Sequence, residues 1–163
     1  MAKFSVLLAF ALMPYFSLLA QQTKAPRGID YFKTISLNIS DLQDYMIAIN
    51  FEFNGTTSDD MGDRYGWAYK RDLYGRDRAE CFYRLYLNND GTKSVSFQSQ
   101  NKADYTRFKA AIKGRGMIFK KSETIKGSLV ETFSNSKFEA RVWSTQSGGI
   151  TSYEMNLEAK NSR

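Results

Sequence analysis

Few residues of this chain are equipped for chemistry, and their spacing narrows the choice further. Histidine is absent, which removes the commonest general base, triad member and metal ligand at once. The only thiol is Cys81. It falls in phase with Tyr83, Leu85 and Leu87, where a cysteine serves as a small apolar side chain rather than a nucleophile. Carboxylates gather at Asp59-Asp60-Met61-Gly62-Asp63, a composition that can offer oxygens to calcium, but the alternating ligands and distant glutamate of an EF-hand loop are missing. Asn88, Asp90 and Gly91 match part of the same motif, yet Tyr86 stands where the first ligand belongs. Both segments are expected to be solvated turns, and no metal, cofactor or catalytic residue is assigned. Gly114-Arg115-Gly116 follows a helical pattern instead of preceding one, so it is expected to end a helix and not to cradle a phosphate.

What remains is recognition chemistry. In Phe138–Trp143, alternation turns Phe138, Ala140 and Val142 inward and leaves Glu139, Arg141 and Trp143 outward. In the strand 80–87, Phe82, Arg84 and Tyr86 share the outward set with Glu80. Aromatic side chains beside arginine on a polar sheet face have the composition of interface hot spots. Phe82, Arg84, Tyr86, Glu139, Arg141 and Trp143 are therefore the candidate partner-binding residues. The competing reading puts these aromatics at strand ends, under loops or across a junction between repeats. Tyr65, Trp67 and Tyr69 alternate with small or charged residues and are expected in the core. The basic, aromatic stretch NKADYTRFKAAIKGRGMIF at 101–119 has a composition suited to nucleic acid. On a helical wheel, however, Tyr105, Phe108 and Ile112 form an inward stripe. Lys102, Lys109 and Lys113 make a ridge beside it, and Arg107 points elsewhere.

These residues need elements to hold them. Leu42, Tyr45, Met46 and Ile49 at helical spacing, after Ser40 as cap, predict a first helix. Alternating strands follow around Phe51–Phe53, Tyr65–Tyr69, Cys81–Leu87 and Val95–Phe97, the last two joined by the hairpin turn Asn88-Asn89-Asp90-Gly91. Asn101 caps a second helix, Met117 and Phe119 resume a strand, and hairpin-like segments occupy 126–134, 136–144 and 149–159. The order repeats. Asp41-Leu42, Tyr45 and Ile49 have the spacing of Asp104-Tyr105, Phe108 and Ile112, 63 residues later. The expected organisation is a lead-in at 21–38, a first α-β4 unit at 39–100 and a second at 101–163. The fold class is α+β, two-layer: an antiparallel sheet with helices on one face and the other face open.

This tandem helix-plus-four-strands order over about residues 40–159 resembles, at fold level, the secreted β-lactamase-inhibitor-like and PepSY-like bacterial proteins. The resemblance implies a non-enzymatic, protein-binding role with the free sheet face as contact surface. The N-terminus agrees with export: Lys3, an uncharged run from Phe4 to Ala20 broken by Pro14, then Gln21-Gln22-Thr23-Lys24 form a secretory signal pattern at 1–20. The run is short for a span, so no membrane span is expected after signal removal. Removing residues 1–20 subtracts only Lys3 from 23 basic residues, leaving 22 against 17 acidic ones, net +5. That field favours acidic partners without amounting to a nucleic-acid patch. The expectation is a periplasmic or secreted binding module of inhibitor, immunity or sensor type, with a protein partner in the envelope or medium. The alternatives are a nucleic-acid-binding α+β module and a carboxylate-dependent hydrolase.

Overall fold

The computed structural model describes residues 29–70 and 79–160. The apolar N-terminal run and the charged segment 71–78 lie outside the described residues. A helical turn, α1 (Tyr31–Thr34), precedes the helix α2 (Ile39–Ala48) and the strands β1 (Phe51–Asp59), β2 (Gly62–Tyr69), β3 (Cys81–Asn88) and β4 (Lys93–Ser99). The helix α3 (Lys102–Gly114) is followed by β5 (Ile118–Ile125), β6 (Ser128–Ser134), β7 (Phe138–Ser147) and β8 (Ile150–Ala159). All eight strands join one antiparallel sheet in the order β1-β2-β3-β4-β8-β7-β6-β5. Each half of the chain is a meander, and the halves meet at the β4–β8 pair. The α+β class with one antiparallel sheet is as expected.

Local chemistry accounts for the helix ends, with one correction. Asn38 caps α2, its side chain accepting from the Asp41 amide at 2.9 Å, while Ser40 already lies inside the helix. Asp41 in turn accepts from Asn38 Nδ2, so cap and first turn secure each other. Asn101 caps α3 as expected, accepting from the Ala103 amide. The segment expected as a lead-in also carries structure. Asp30 caps α1, and Tyr31, Phe32 and Ile35 enter the core. A four-residue helix is too short to display a period, so the sequence pattern conceals it.

The core lies between the helices and one sheet face. Leu42 and Met46 of α2, together with Phe108 and Ile112 of α3, pack with the inward alternates Trp67, Tyr83, Leu85, Phe97, Val142 and Leu157. Tyr31 stands edge-on to Phe108 at 4.7 Å and to Phe97 at 5.6 Å, linking α1, α3 and β4. Burial of the helix positions alters the correspondence between halves. Leu42 and Met46 match Phe108 and Ile112 at a spacing of 66 residues, not 63. The same 66 carries Phe53 opposite Trp67 onto Phe119 opposite Phe133, with ring centroids 5.7 Å apart in both pairs. It also carries the β1 bulge at Phe53/Gly55 onto the β5 bulge at Phe119/Lys121, and Asn50 (φ 64°) onto Gly116 (φ 68°).

One buried charge ties α3 to the sheet. Asp104 is 2% exposed and accepts from Ser99 Oγ at 2.7 Å and Arg107 Nη1 at 3.0 Å. Burial raises its carboxyl above the ordinary range, against the lowering influence of Ser99 and Arg107. A carboxyl raised in the folded state binds its proton more tightly there than in the unfolded chain, so acidification favours the fold. As pH falls from 7 toward 4, wild type should therefore gain thermal stability relative to Asp104→Asn. Melting curves that run parallel across that range would refute the assignment.

Candidate partner-binding face

Opposite the helices, the outward alternates of four central strands make one surface. From β3 it takes Phe82, Arg84 and Tyr86; from β4, Ser94, Ser96 and Gln98. From β8 come Glu154, Asn156 and Glu158, and from β7, Glu139, Arg141 and Trp143. Register sets these in rows. Arg84 is opposite Ser96, Ser96 opposite Asn156, and Asn156 opposite Arg141. The six sequence-predicted residues are thus all on the helix-free face, in two triplets. Three strand spacings, about 14 Å, separate the triplets. Five of the six are half-buried and Arg141 is exposed.

The triplets correspond between the halves. Phe82, Arg84 and Tyr86 lie 57 residues before Glu139, Arg141 and Trp143, and the β2–β3 and β6–β7 registers carry Trp67–Tyr83 onto Phe133–Ala140. Arginine is kept at the middle position and an aromatic at the third. Both arginines rest on the neighbour two residues back: Arg84 stands over the Phe82 ring at 5.6 Å, and Arg141 donates to Glu139 at 2.7 and 3.0 Å. Between the triplets, the floor on β4 is short and neutral, with Ser94 buried and Ser96 and Gln98 half-buried. On β8 it is acidic. Glu158 lies directly opposite Glu139, a like-charge pairing that costs stability.

Pairing of charges on this face is uneven. Arg64 pairs with Asp59, Lys121 with Glu123 at 2.9 Å, and Arg141 with Glu139. Among the described residues Arg84, Glu154 and Glu158 form no ion pair. A shallow depression of about 30 Å³ at one end, against Phe82, Gln98 and Ser152, has room for about one water. The surface as a whole spans the outward alternates of four adjacent strands.

The sequence reading missed the floor residues of β4 and β8. Their alternation with Val95 and Phe97, and with Met155 and Leu157, was visible in the sequence. That β4 and β8 are neighbours was not.

Other candidates are otherwise engaged. Cys81 is 1% exposed, and burial pushes its thiol far above the ordinary value. In the acidic loop, Asp59 accepts from the Met61 amide at 2.8 Å and Asp63 accepts from Ser58 Oγ at 2.6 Å. Asp90 is occupied by the Thr92 amide and hydroxyl. No group of three or more metal-ligating side chains occurs among the described residues. The lysine ridge of α3 is corrected at one position. Lys109 pairs with Glu131 and stands over the Tyr105 and Phe133 rings at 5.5 and 5.8 Å, because β6 brings a carboxylate beneath the helix. Tyr105 is half-buried, packed on Tyr153 at 5.3 Å. None of the described helices is long and apolar enough to cross a membrane.

Comparison with known proteins finds no matching family, no similar curated protein and no similar solved structure. The functional reading therefore rests on this face and its chemistry.

Proposed function

We propose that the protein is an exported, non-enzymatic binding module that recognises a protein partner through the helix-free face of its sheet. One observation carries the reading. The outward alternates of β3 and β7 offer Phe82, Tyr86 and Trp143 beside arginines on a continuous, partly exposed face. Large amphipathic aromatics with arginine supply binding free energy at low conformational cost. Three carboxylates on the same face, Glu139, Glu154 and Glu158, oppose a nucleic-acid backbone and favour a protein. The chain is taken as two copies of an α-β4 unit, supported by the 66-residue correspondence of helix, bulge and aromatic pair. Export rests on the signal-like residues 1–20.

The test is capture from envelope and culture-medium proteins by immobilised wild type, by Trp143→Ala/Tyr86→Ala, and by Lys102→Ala/Lys113→Ala on α3. Partners retained by wild type and the α3 variant should be lost from the open-face variant, by about 100-fold or more if both aromatics act as hot spots. Undiminished capture by the open-face variant would refute the assigned surface.

A further inference from the structure

The two outer edges of the sheet are built alike and finished differently. β1 and β5 correspond at the 66-residue spacing, and each pairs on one side only. At that spacing Glu52, Asp59 and Asp63 of the first half become Ile118, Ile125 and Leu129 of the second. Those three apolar side chains and Phe119 are between 45% and 61% exposed. Charges along an edge guard it against strand addition, whereas an exposed apolar edge is a template for it. One edge is closed by carboxylates and the other is not.

Backbone geometry fixes what the β5 edge offers. Lys126 and Gly127 both have positive φ, 49° and 81°, the two-residue turn in which Ile125 exchanges both hydrogen bonds with Ser128. Bonding alternates along an antiparallel pair, so Glu123 also bonds toward β6, while Ser122 and Thr124 turn their N–H and C=O groups outward. The bulge leaves Lys120 out of the β5–β6 register. Ile118, Lys121, Glu123 and Ile125, opposite Ser134, Thr132, Val130 and Ser128, therefore share the helix-free face.

A second copy of β5 matches these features. A dyad perpendicular to the sheet joins β5 to β5 antiparallel, keeps each face continuous, and passes where one residue meets its own copy. At Lys121 or Glu123 it brings like charges together. At Ser122, which bonds outward, it sets Lys121 against Glu123 of the second copy and Glu123 against Lys121 of the second copy. Within one chain these two already pair at 2.9 Å, and across the dyad they exchange partners. Beyond the bulge the same register brings Ile118 onto Ile125 of the second copy, and Phe119 onto its Thr124, beside its Leu129. Each contact occurs twice, and Lys120 and Lys126 fall outside the pairs. On β1 the equivalent register sets Glu52 against Asp59, carboxylate on carboxylate. Pairing β1 with β5 sets those carboxylates against Ile125 and Ile118, so association closes at two copies. We propose that the chain forms an isologous dimer by β5–β5 pairing about Ser122, which joins two eight-stranded sheets into one and leaves the helix-free face uncovered.

Sedimentation equilibrium of the exported protein should show a concentration-dependent dimer, and the Ser122 and Thr124 amides should gain protection from hydrogen exchange as it forms. Ile118→Glu/Ile125→Asp, which gives β5 the residues of β1, should weaken association by about 100-fold or more. Lys121→Glu alone and Glu123→Lys alone should each weaken it by about tenfold, since each homodimer then carries two repulsive contacts. Mixing these two variants in equal amounts should restore association, as should both reversals in one chain, because every contact is again of opposite sign. A chain that stays monomeric at high concentration overturns the proposal. So does a dimer whose Ser122 and Thr124 amides exchange as in the monomer, or a failure of both the mixture and the double reversal to recover. Trp143→Ala/Tyr86→Ala should leave the dimer intact, so loss of the dimer and loss of partner capture are separate results.

Discussion

Phe108→Ala is expected to destabilise the fold by about 3–5 kcal/mol, among the largest effects available to one substitution here. The ring is 1% exposed and edge-on to Tyr31 at 4.7 Å, and Tyr31 itself meets Phe97. Truncation therefore removes more than one side chain's transfer from water. It opens a cavity where α3, α1 and β4 converge. The measurement is the urea midpoint, which should fall with the slope of the unfolding curve unchanged. Phe119→Ala is the informative control. Phe119 is as apolar as Phe108 but 54% exposed on an outer strand, so its loss should cost about 1 kcal/mol or less. Equal costs would mean that α3 does not seal the core as described.

The second large effect belongs to a glycine. Gly62 opens β2 opposite Asn88 at a φ of +135°, and a Cβ there would stand 2.1 Å from the Leu87 carbonyl oxygen and 2.8 Å from Asn88 Cα. Both obstacles are backbone, so no rotamer change relieves them. Gly62→Ala must therefore displace the start of β2 from β3, at about 2–4 kcal/mol of strain and lost pairing. Gly127→Ala separates this clash from dihedral strain alone. Its φ of +81° is also left-handed, but nothing lies within 4 Å of the added carbon, so about 1 kcal/mol is expected. A thermal-melt difference of several degrees between the two variants is the predicted result.

Much of this architecture is written in local pattern. Val95 and Phe97 against Ser94 and Ser96, the turn at Asn88–Gly91, and Asn101 ahead of the Phe108–Ile112 stripe each specify an element through contacts a few residues long. What escapes is set by contacts distant in sequence. Nothing near Ser96 announces Asn156 as its neighbour, because the β4–β8 pairing arises only when two finished meanders meet edge to edge. Lys109 reads as a solvated lysine until β6 places Glu131 beneath it. The α1 turn escapes for the opposite reason: it is held by Tyr31 and Phe32 in a core that 97 and 108 complete, not by any period of its own. The candidate face divides along the same line. Its Arg-and-aromatic triplets are legible as departures from alternation on β3 and β7. The polar floor that joins them is ordinary alternation and becomes part of a site only through topology.

The chain's two tryptophans, Trp67 and Trp143, report on opposite faces. Trp67 is 1% exposed beneath the helices, and Trp143 lies outward on β7. The most direct test of the open face as the working surface is to follow their indole N–H resonances in labelled protein during association with a captured partner. The Trp143 signal should shift or broaden while that of Trp67 stays in place. Association that perturbs α3 amides and leaves the Trp143 indole unmoved would contradict the account.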